Sequence, residues 1–153
     1  SVLLLKYFKR LKLRNLAVAA PDVGGSKRAR AYAKNLGAEL ILIDKRRPKP
    51  NVAEVMNIIG DVEGKNVLIV AAVDALKKNG AKDIYGAATH PILSGQALQK
   101  IENSGLKKLV VANTVPLNIK SKKIEILDIS RLFAHAILRN NENQSISALF
   151  KVE

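Results

Sequence analysis

The chain has 153 residues, 48% of them hydrophobic and 25% charged, which is typical of one globular domain and excludes a largely disordered chain. Its 26 basic and 13 acidic residues give a formal net charge of +13, which favours an anionic partner such as a phosphorylated small molecule, a nucleic acid or an acidic membrane. Cysteine is absent, which excludes disulfides and thiolate metal sites, and no apolar run approaches the ~18 residues of a membrane-spanning helix.

Helix-like and strand-like patterns alternate along the chain. In chain order they predict a helix at 1–13, a strand at 16–20, a helix at 26–36, a strand at 39–43, a helix at 51–59, a strand at 66–70, a helix at 71–79, a strand at 83–88, a helix at 95–103, strands at 108–112 and 124–127, and a helix at 130–139. The strands are apolar on both faces, as strands covered by helices on both sides must be. We therefore expect an α/β fold, with one domain whose parallel sheet carries helices on both faces.

The loop after the first strand, PDVGGSKRAR, is the first candidate binding site, because ligands of such folds lie beyond the carboxyl ends of the strands. Gly24 and Gly25 allow backbone N–H groups to approach an anion closely, and the next helix, with Ser26 as its expected N-cap, offers its positive end. Asp22 is a candidate ligand of Mg²⁺, which takes carboxylate and phosphate oxygens. A tight turn that binds nothing is the alternative.

A second loop, DKRRPKPN, concentrates cations after the strand at 39–43. It places Lys45, Arg46, Arg47 and Lys49 within a short stretch of chain. Four cations at the carboxyl end of a strand can neutralise the charge that develops on phosphoryl oxygens during a transfer reaction. A solvated basic loop without a function is the alternative.

The strand at 66–70 runs directly into the helix at 71–79, with no turn residue between them. Connections between strands and helices usually take about 2–6 residues. We therefore predict a break in the chain between Val70 and Ala71, at a strand end where a ligand-binding loop is expected.

The two histidines, His90 and His135, are too few for a histidine-rich metal site. His90 follows the strand at 83–88 and is a candidate ligand contact, although a lone histidine beside a proline is more often structural. His135 lies beside an apolar stripe on the last helix, and we interpret it as a packing or subunit-contact residue.

Three segments of the chain, taken together, resemble the bacterial type of ribose-phosphate pyrophosphokinase, also called PRPP synthetase. They read APDVGGSKRARAYAKNLGAELILIDKRRPKPNVAEVMNIIGDVEGKNVLIV, ATHPILSGQALQKIENSG and SISALF. The combination of DKRRP and IGDVEGK is far more specific than the Gly-Gly turn alone. The resemblance covers the carboxyl-terminal half of the family's chain, and it implies a type I phosphoribosyltransferase-like fold.

The resemblance implies transfer of the pyrophosphoryl group of ATP to the 1-hydroxyl of ribose 5-phosphate, which gives PRPP and AMP, with Mg²⁺ as the cofactor. It also implies roles for three groups of residues, namely the metal and pyrophosphate site (Asp22, Val23, Gly24 and Gly25), the catalytic loop (Lys45 and Arg47) and a regulatory or interface segment (Ser147 and Phe150). It further implies a cytoplasmic hexamer regulated by phosphate and ADP, without nucleic acid or membrane as a partner.

Two departures from the family pattern qualify this implied activity. The family's acidic loop of the form DDxxDTxGT, which holds ribose 5-phosphate, is absent between Val70 and Ala71. The family's amino-terminal half, which contributes much of the ATP site, is absent as well. A chain with this literal sequence is therefore expected to be inactive or badly impaired when it is alone.

Two other functions stay open. One is a non-catalytic protein that associates with PRPP synthetases and regulates them, although such a protein need not retain Asp22, Lys45 and Arg47. The other is a regulator of the same fold that binds RNA or DNA. The basic charge permits nucleic-acid binding, but the three tyrosines and three phenylalanines form no cluster with the cations, which weakens the case for single-strand binding.

Overall fold

The computed structural model describes residues 2–22, 24–46, 55–69 and 73–150, with only the backbone described at Lys45, Arg46, Val55, Met56 and Phe150. Within these residues the strands are β1 Leu16–Ala20, β2 Glu39–Arg46, β3 Val55–Ile59, β4 Asn66–Ile69, β5 Asp83–Ala88, β6 Leu106–Ala112 and β7 Ile124–Leu127. The helices are α1 Val2–Leu11, α2 Ser26–Leu36, α3 Val73–Lys78, α4 Ala97–Asn103 and α5 Ser130–Asn141, followed by a 3₁₀ helix at Ile146–Phe150.

The strands form one sheet in the order β3-β2-β1-β4-β5-β6-β7. Neighbouring strands are parallel except for β2 and β3, which pair antiparallel with Leu42 opposite Ile59. After β1 the chain moves outward to β2, whereas β4 lies on the other side of β1. The strand order therefore reverses between β1 and β4, and the carboxyl ends of both strands lie at the same edge of the sheet.

Side chains that alternate along each strand fill two apolar layers, one on each face of the sheet. On one face, Val18 of β1 packs in a cluster with Phe8 of α1 and Ala33 of α2. On the other face, Ala19 packs in a cluster with Leu76 of α3. The expected α/β fold, with helices on both faces of a mostly parallel sheet, is confirmed.

The helix predicted at 51–59 is wrong, because Val55–Ile59 forms strand β3 at the edge of the sheet. Its sequence, VMNII, is rich in β-branched residues, which suit extended backbone. Pairing with β2 satisfies backbone groups that a helix would have satisfied internally. Gly60 follows with a φ of +118°, a conformation that favours glycine. Residues 51–54 lie outside the described residues.

Strand β2 is longer than predicted, because it continues over Lys45 and Arg46. The backbone of these two residues pairs with Met56 and Val55 of β3, so the first cations of the predicted basic loop belong to a strand. The antiparallel partner β3 extends the strand, and a helix at VMNII would leave β2 without this partner.

Smaller differences concern the ends of helices and strands. Ser26 is the first residue of α2 and not its N-cap, since Gly25 occupies the cap position without a side-chain hydrogen bond. Helix α4 begins two residues later than predicted, at Ala97, and β6 begins two residues earlier, at Leu106.

Candidate active site

A cavity of about 680 Å³ opens at the carboxyl edge of the sheet, beside the reversal of strand order between β1 and β4. Crevices at this place are the usual ligand sites of open α/β sheets, and the volume suits a small molecule. Its polar lining comes from the turn after β1, the start of α2 and the end of β5, with Asp22, Gly24, Gly25, Arg28, Tyr32, Thr89 and His90.

The Asp22 side chain is held by the turn that follows it. Its Oδ1 accepts a hydrogen bond of 2.6 Å from the backbone N–H of Gly25, and the residue is exposed on the cavity wall. One carboxylate oxygen is therefore committed to the turn. The other oxygen has no hydrogen-bond partner among the described residues and can face a ligand.

Both glycines of the turn lie against this carboxylate. A Cβ atom added to Gly24 or to Gly25 would stand 3.3 Å from Asp22 Oδ1, and at Gly25 it would also stand 3.1 Å from Pro21 Cδ. These distances are tighter than most Cβ contacts, so a side chain at either position would press on the carboxylate. The glycines therefore keep the Asp22 turn compact, and they bring its backbone to the cavity wall.

The start of α2 makes this wall positive. No acidic residue occupies the first turn of α2, and the helix directs its N-terminal backbone N–H groups, with their partial positive charge, toward the side of the cavity. Arg28 adds a full positive charge on the same wall. Burial raises the pKa of the nearby Tyr32 hydroxyl, an effect that Arg28 partly offsets, so Tyr32 stays protonated at neutral pH.

His90 lies across the cavity, at the end of β5, and it is bonded to the loop after β6. Its Nδ1 is 2.9 Å from Thr114 Oγ1, and the Thr114 hydroxyl donates to the backbone carbonyl of Thr89 at 2.8 Å. The contact joins the ends of two neighbouring strands.

A second polar cluster supports that loop. Asn113 donates from its Nδ2 to Asp128 Oδ1 at 2.8 Å and accepts the Ile129 backbone N–H at 2.9 Å. Asp128 Oδ1 also accepts from the Ser130 hydroxyl and backbone N–H, and these bonds lower the pKa of Asp128 to about 2. The cluster therefore ties the carboxyl ends of β6 and β7 together, next to Thr114.

Several residues predicted from the sequence are not part of the described site. Val23, Arg47 and the proposed break at Val70 and Ala71 lie outside the described residues, and Lys45 is described only in its backbone. The structure therefore brings together Asp22, Gly24 and Gly25 from the predicted set. The same cavity is also lined by Thr89 and His90. Of these two, His90 was predicted from the sequence as a candidate ligand contact.

The carboxyl-terminal residues lie away from this cavity lining. Ser147 belongs to the 3₁₀ helix, where its Oγ is 2.6 Å from Ser145 Oγ, and Phe150 is described only in its backbone. On α5, His135 is exposed, and Phe133 and Ile137 are 57% and 68% exposed. Phe133 and Ile137 are therefore not packed against other residues of the described part of the chain, and the predicted subunit contact stays a prediction.

Arg28, Tyr32 and Thr114 were not predicted from the sequence. A signal was present for the first two, because Arg28 and Tyr32 are four residues apart and so share one face of a helix. Thr114 comes from a loop distant in the sequence, and only the pairing of β5 with β6 places it beside His90.

A divalent metal would depend on few protein ligands here. Over 2–22, 24–46, 55–69 and 73–150, no three His, Asp or Glu side chains are grouped so that they could hold a metal ion. Asp22 alone fits a Mg²⁺ site of the kind in which one or two carboxylates are completed by substrate phosphates and water.

None of the helices in the described part of the chain has the length and hydropathy needed to span a bilayer.

Comparison with known proteins places most of the chain in one family. The family model described as phosphoribosyl synthetase-associated domain matches residues 41–151. Curated proteins named ribose-phosphate pyrophosphokinase are 44% identical in Wolinella succinogenes and 50% identical in Chlorobaculum tepidum, each over 98% of this chain. The alignments cover 52% and 50% of those proteins, so the chain spans about half the length of the curated relatives it matches.

A solved structure gives the same result. The crystal structure of phosphoribosylpyrophosphate synthetase from Mycobacterium smegmatis superposes with a TM-score of 0.83 and 30% sequence identity. The match covers 92% of this chain and 50% of that one. This superposition supports the shared α/β architecture over nearly the whole chain.

The alignments with the curated relatives are longer than this chain. The alignment with the W. succinogenes relative extends over 161 positions, which exceeds the 153 residues of this chain by eight. At least eight aligned positions therefore have no counterpart here.

Proposed function

Because the chain belongs to the family described as the phosphoribosyl synthetase-associated domain and is a homologue of ribose-phosphate pyrophosphokinase, we propose that the full-length protein makes PRPP and AMP from ATP and ribose 5-phosphate. The 1-hydroxyl oxygen of the sugar attacks the β-phosphorus of ATP and loses its proton. The bond from that phosphorus to the oxygen shared with the α-phosphate breaks, and AMP leaves with the shared oxygen.

The observation that carries this proposal is the Asp22 turn in its crevice. The turn places a carboxylate, two glycines and the positive start of α2 on one wall of the cavity at the strand-order reversal. These groups suit a ligand that carries several phosphates and a divalent cation. Arg28 adds a cation from the protein itself.

Asp22 is the proposed protein ligand of Mg²⁺, through the carboxylate oxygen that Gly25 leaves free. When bound, Mg²⁺ would neutralise charge on the phosphoryl oxygens. The chain's own contribution is to orient the pyrophosphate, with the backbone N–H groups of Val23 and Gly24 as proposed donors and with Gly25 as the residue without a side chain that lets a phosphate approach the turn. The hydrogen bond from Gly25 holds Asp22 in place for this role.

Lys45 and Arg47 are the proposed catalytic residues. Lys45 belongs to β2, the strand beside β1, and Arg47 follows it in the sequence. Cations that reach the site from the end of β2 would stabilise the charge growing on the transferred group.

Assembly and regulation belong to the same proposal. We propose a cytoplasmic homo-oligomer, a hexamer by family resemblance, with phosphate and ADP as effectors. Ser147 and Phe150 are the proposed regulatory or interface residues. The exposed apolar side chains of Phe133 and Ile137 supply surface that an assembly could cover.

A non-catalytic, synthetase-associated protein is the second candidate function. The direct succession of Val70 and Ala71 favours it, together with the eight or more aligned positions that this chain lacks. If the ribose 5-phosphate loop is truly deleted, the crevice keeps its anion-binding wall but loses the acidic loop after β4. Such a protein would bind phosphorylated ligands without converting them to products.

The deciding experiment is an assay of the protein expressed from the complete gene, with ATP, ribose 5-phosphate and Mg²⁺. Formation of PRPP and AMP in equal amounts supports the synthetase. Binding of pyrophosphate without any turnover, in a protein whose intact mass shows residue 70 joined directly to residue 71, supports the non-catalytic candidate and rules out the first.

A further inference from the structure

The hydrogen bonds between His90, Thr114 and Thr89 fix which ring nitrogen of His90 carries the proton. The Thr114 hydroxyl has one proton, and the Thr89 carbonyl oxygen, 2.8 Å away, can only accept. That proton is therefore directed to Thr89. The 2.9 Å contact between Thr114 Oγ1 and His90 Nδ1 then requires that Nδ1 carries a hydrogen and donates it.

The other ring nitrogen is left as an acceptor. In the neutral form of the imidazole the protonated nitrogen is then Nδ1, and in that form Nε2 carries a lone pair. Among the described residues, Nε2 has no hydrogen-bond partner. His90 is exposed, and it lines the same cavity as Asp22. The ring is therefore oriented by a neighbouring strand end and retains a free acceptor at the crevice.

The spacing of the strands sets what can lie between His90 and the Asp22 turn. The two residues follow β5 and β1, and these strands are separated only by β4. Adjacent strands are about 4.8 Å apart, so the two walls are separated by roughly 10 Å at the level of the sheet. A pentose ring fits this span, with the pyrophosphate that it receives on the α2 wall and its ring hydroxyls toward β5.

We propose that His90 Nε2 accepts a hydrogen bond from a ring hydroxyl of the pentose phosphate bound in this cavity, and that Thr114 is the positioning residue that fixes the required tautomer. The assignment of the sugar rests on the proposed function. A neutral acceptor selects a hydroxyl donor and not a phosphate oxygen, which needs a donor. His90 would thereby distinguish the sugar from analogues that lack the hydroxyl.

Two substitutions at His90 separate its two nitrogens. In His90→Asn, the amide nitrogen can take the place of Nδ1 and keep the bond to Thr114, while the acceptor at the Nε2 position is lost. In His90→Gln, the longer amide can place an oxygen near the Nε2 position. We expect the affinity of the full-length protein for ribose 5-phosphate, measured by calorimetry, to fall about 3- to 10-fold in His90→Asn and to be largely retained in His90→Gln.

Deoxy analogues of ribose 5-phosphate identify a hydroxyl contact directly. We expect the wild-type protein to bind one deoxy analogue, the one that lacks the contacted hydroxyl, about 3- to 10-fold more weakly than ribose 5-phosphate. The His90→Asn variant should bind that analogue and ribose 5-phosphate with equal affinity. A merely structural role for His90 would weaken the sugar and every analogue by the same factor.

The positioning role of Thr114 has its own readout. In protein labelled with ¹⁵N at histidine, long-range ¹H–¹⁵N spectra should show His90 protonated at Nδ1 in the wild type and in Thr114→Ser. Thr114→Val, which lacks the hydroxyl, should lose that signature and the discrimination against the deoxy analogue.

The outcomes separate the two proposals. If the wild-type protein neither binds nor converts ribose 5-phosphate, the proposed function fails, and the ligand assigned to His90 fails with it. If the wild type makes PRPP but His90→Asn discriminates between the sugar and every deoxy analogue as the wild type does, only the role of His90 is overturned. A wild-type spectrum with the proton on Nε2 overturns the positioning role of Thr114.

Discussion

Asp22 and Asp61 make the same kind of backbone contact at opposite edges of the sheet. Asp22 Oδ1 accepts the Gly25 N–H at 2.6 Å after β1, and Asp61 Oδ1 accepts the Glu63 N–H at 3.0 Å before β4. Both residues are exposed. They differ in surroundings, because Asp61 also pairs with Lys65, whereas Asp22 faces the cavity.

The similarity of Asp22 and Asp61 gives a matched test of the proposed metal and phosphate site. Asp22→Asn keeps an oxygen for the Gly25 bond but removes the charge, so we expect the rate of PRPP formation to fall by roughly 100-fold or more. Asp61→Asn makes the same change outside the cavity and should stay within about twofold of wild type. Equal losses in the two variants would contradict the assignment of Asp22.

Arg28 should contribute to anion binding, because its side chain lines the cavity beside the start of α2. In Arg28→Met, we expect the affinity for pyrophosphate to fall about tenfold at low salt, and less at high salt, where screening weakens the interaction. Arg30 is an exposed cation on the same helix and is absent from the cavity lining, so Arg30→Met is the control. Titration calorimetry measures both variants, and an unchanged Arg28→Met would remove Arg28 from the site.

Lys123 should stabilise the fold through the end of α4. Its Nζ donates to the backbone carbonyls of Glu102 at 2.8 Å and Ser104 at 2.7 Å, where the helix leaves carbonyls without internal partners. We expect Lys123→Met to lower the free energy of unfolding by about 1.5–3 kcal/mol, because hydrogen bonds from a charged group are lost.

Urea denaturation of Lys122→Met provides the comparison for this prediction, since Lys122 is the exposed neighbour. That variant should unfold within about 0.5 kcal/mol of the wild type. Loss of the same stability in both variants would mean that charge, and not the contact with α4, is responsible.

Asp128 should make stability depend on acidic pH. Hydrogen bonds from Ser130 and Asn113 lower its pKa from an ordinary value of 3.8 to about 2 in the folded state. A lowered pKa means that the folded state favours the ionised form. The stabilisation is therefore fully present above pH 3.8, and it is lost as the pH falls toward about 2.

Unfolding curves between pH 7 and pH 2 test this dependence. The difference in stability between wild type and Asp128→Asn should be constant near neutral pH and should shrink below about pH 4. In a protein that carries Ser130→Ala, which removes the hydroxyl donor, Asp128→Asn should change the free energy of unfolding by a smaller amount. If the stabilities of the wild type and of Asp128→Asn change in parallel down to pH 2, Asp128 does not titrate as proposed.

The sequence predicted the parallel part of the fold because its strands carry strong local patterns. LAVAA and VLIV are continuous apolar runs, and such runs are typical of strands covered on both faces. Strand β3 failed this test, because it lies at the edge of the sheet and VMNII becomes extended through its pairing with β2. Edge pairing is a long-range contact, and a short window of sequence does not contain it.

In the candidate site, too, residues with a local signal could be predicted from the sequence and a residue placed by strand pairing could not. Asp22, Gly24 and Gly25 were predictable, because turn chemistry and the strand-end rule are local. Thr114 was not predictable, because the pairing of β5 with β6 brings a residue that follows β6 to His90.

Helix α5 has the least tertiary support of the long helices in the described chain. It contains no buried residue, and its main contacts within that part of the chain are with the 3₁₀ helix that follows it. Backbone amides there should exchange with deuterium through local opening, while those of β1 and β4 should exchange only when the whole domain unfolds. Association with another polypeptide that covers α5 would slow exchange in this helix, so its exchange rate reports whether α5 lies in an interface.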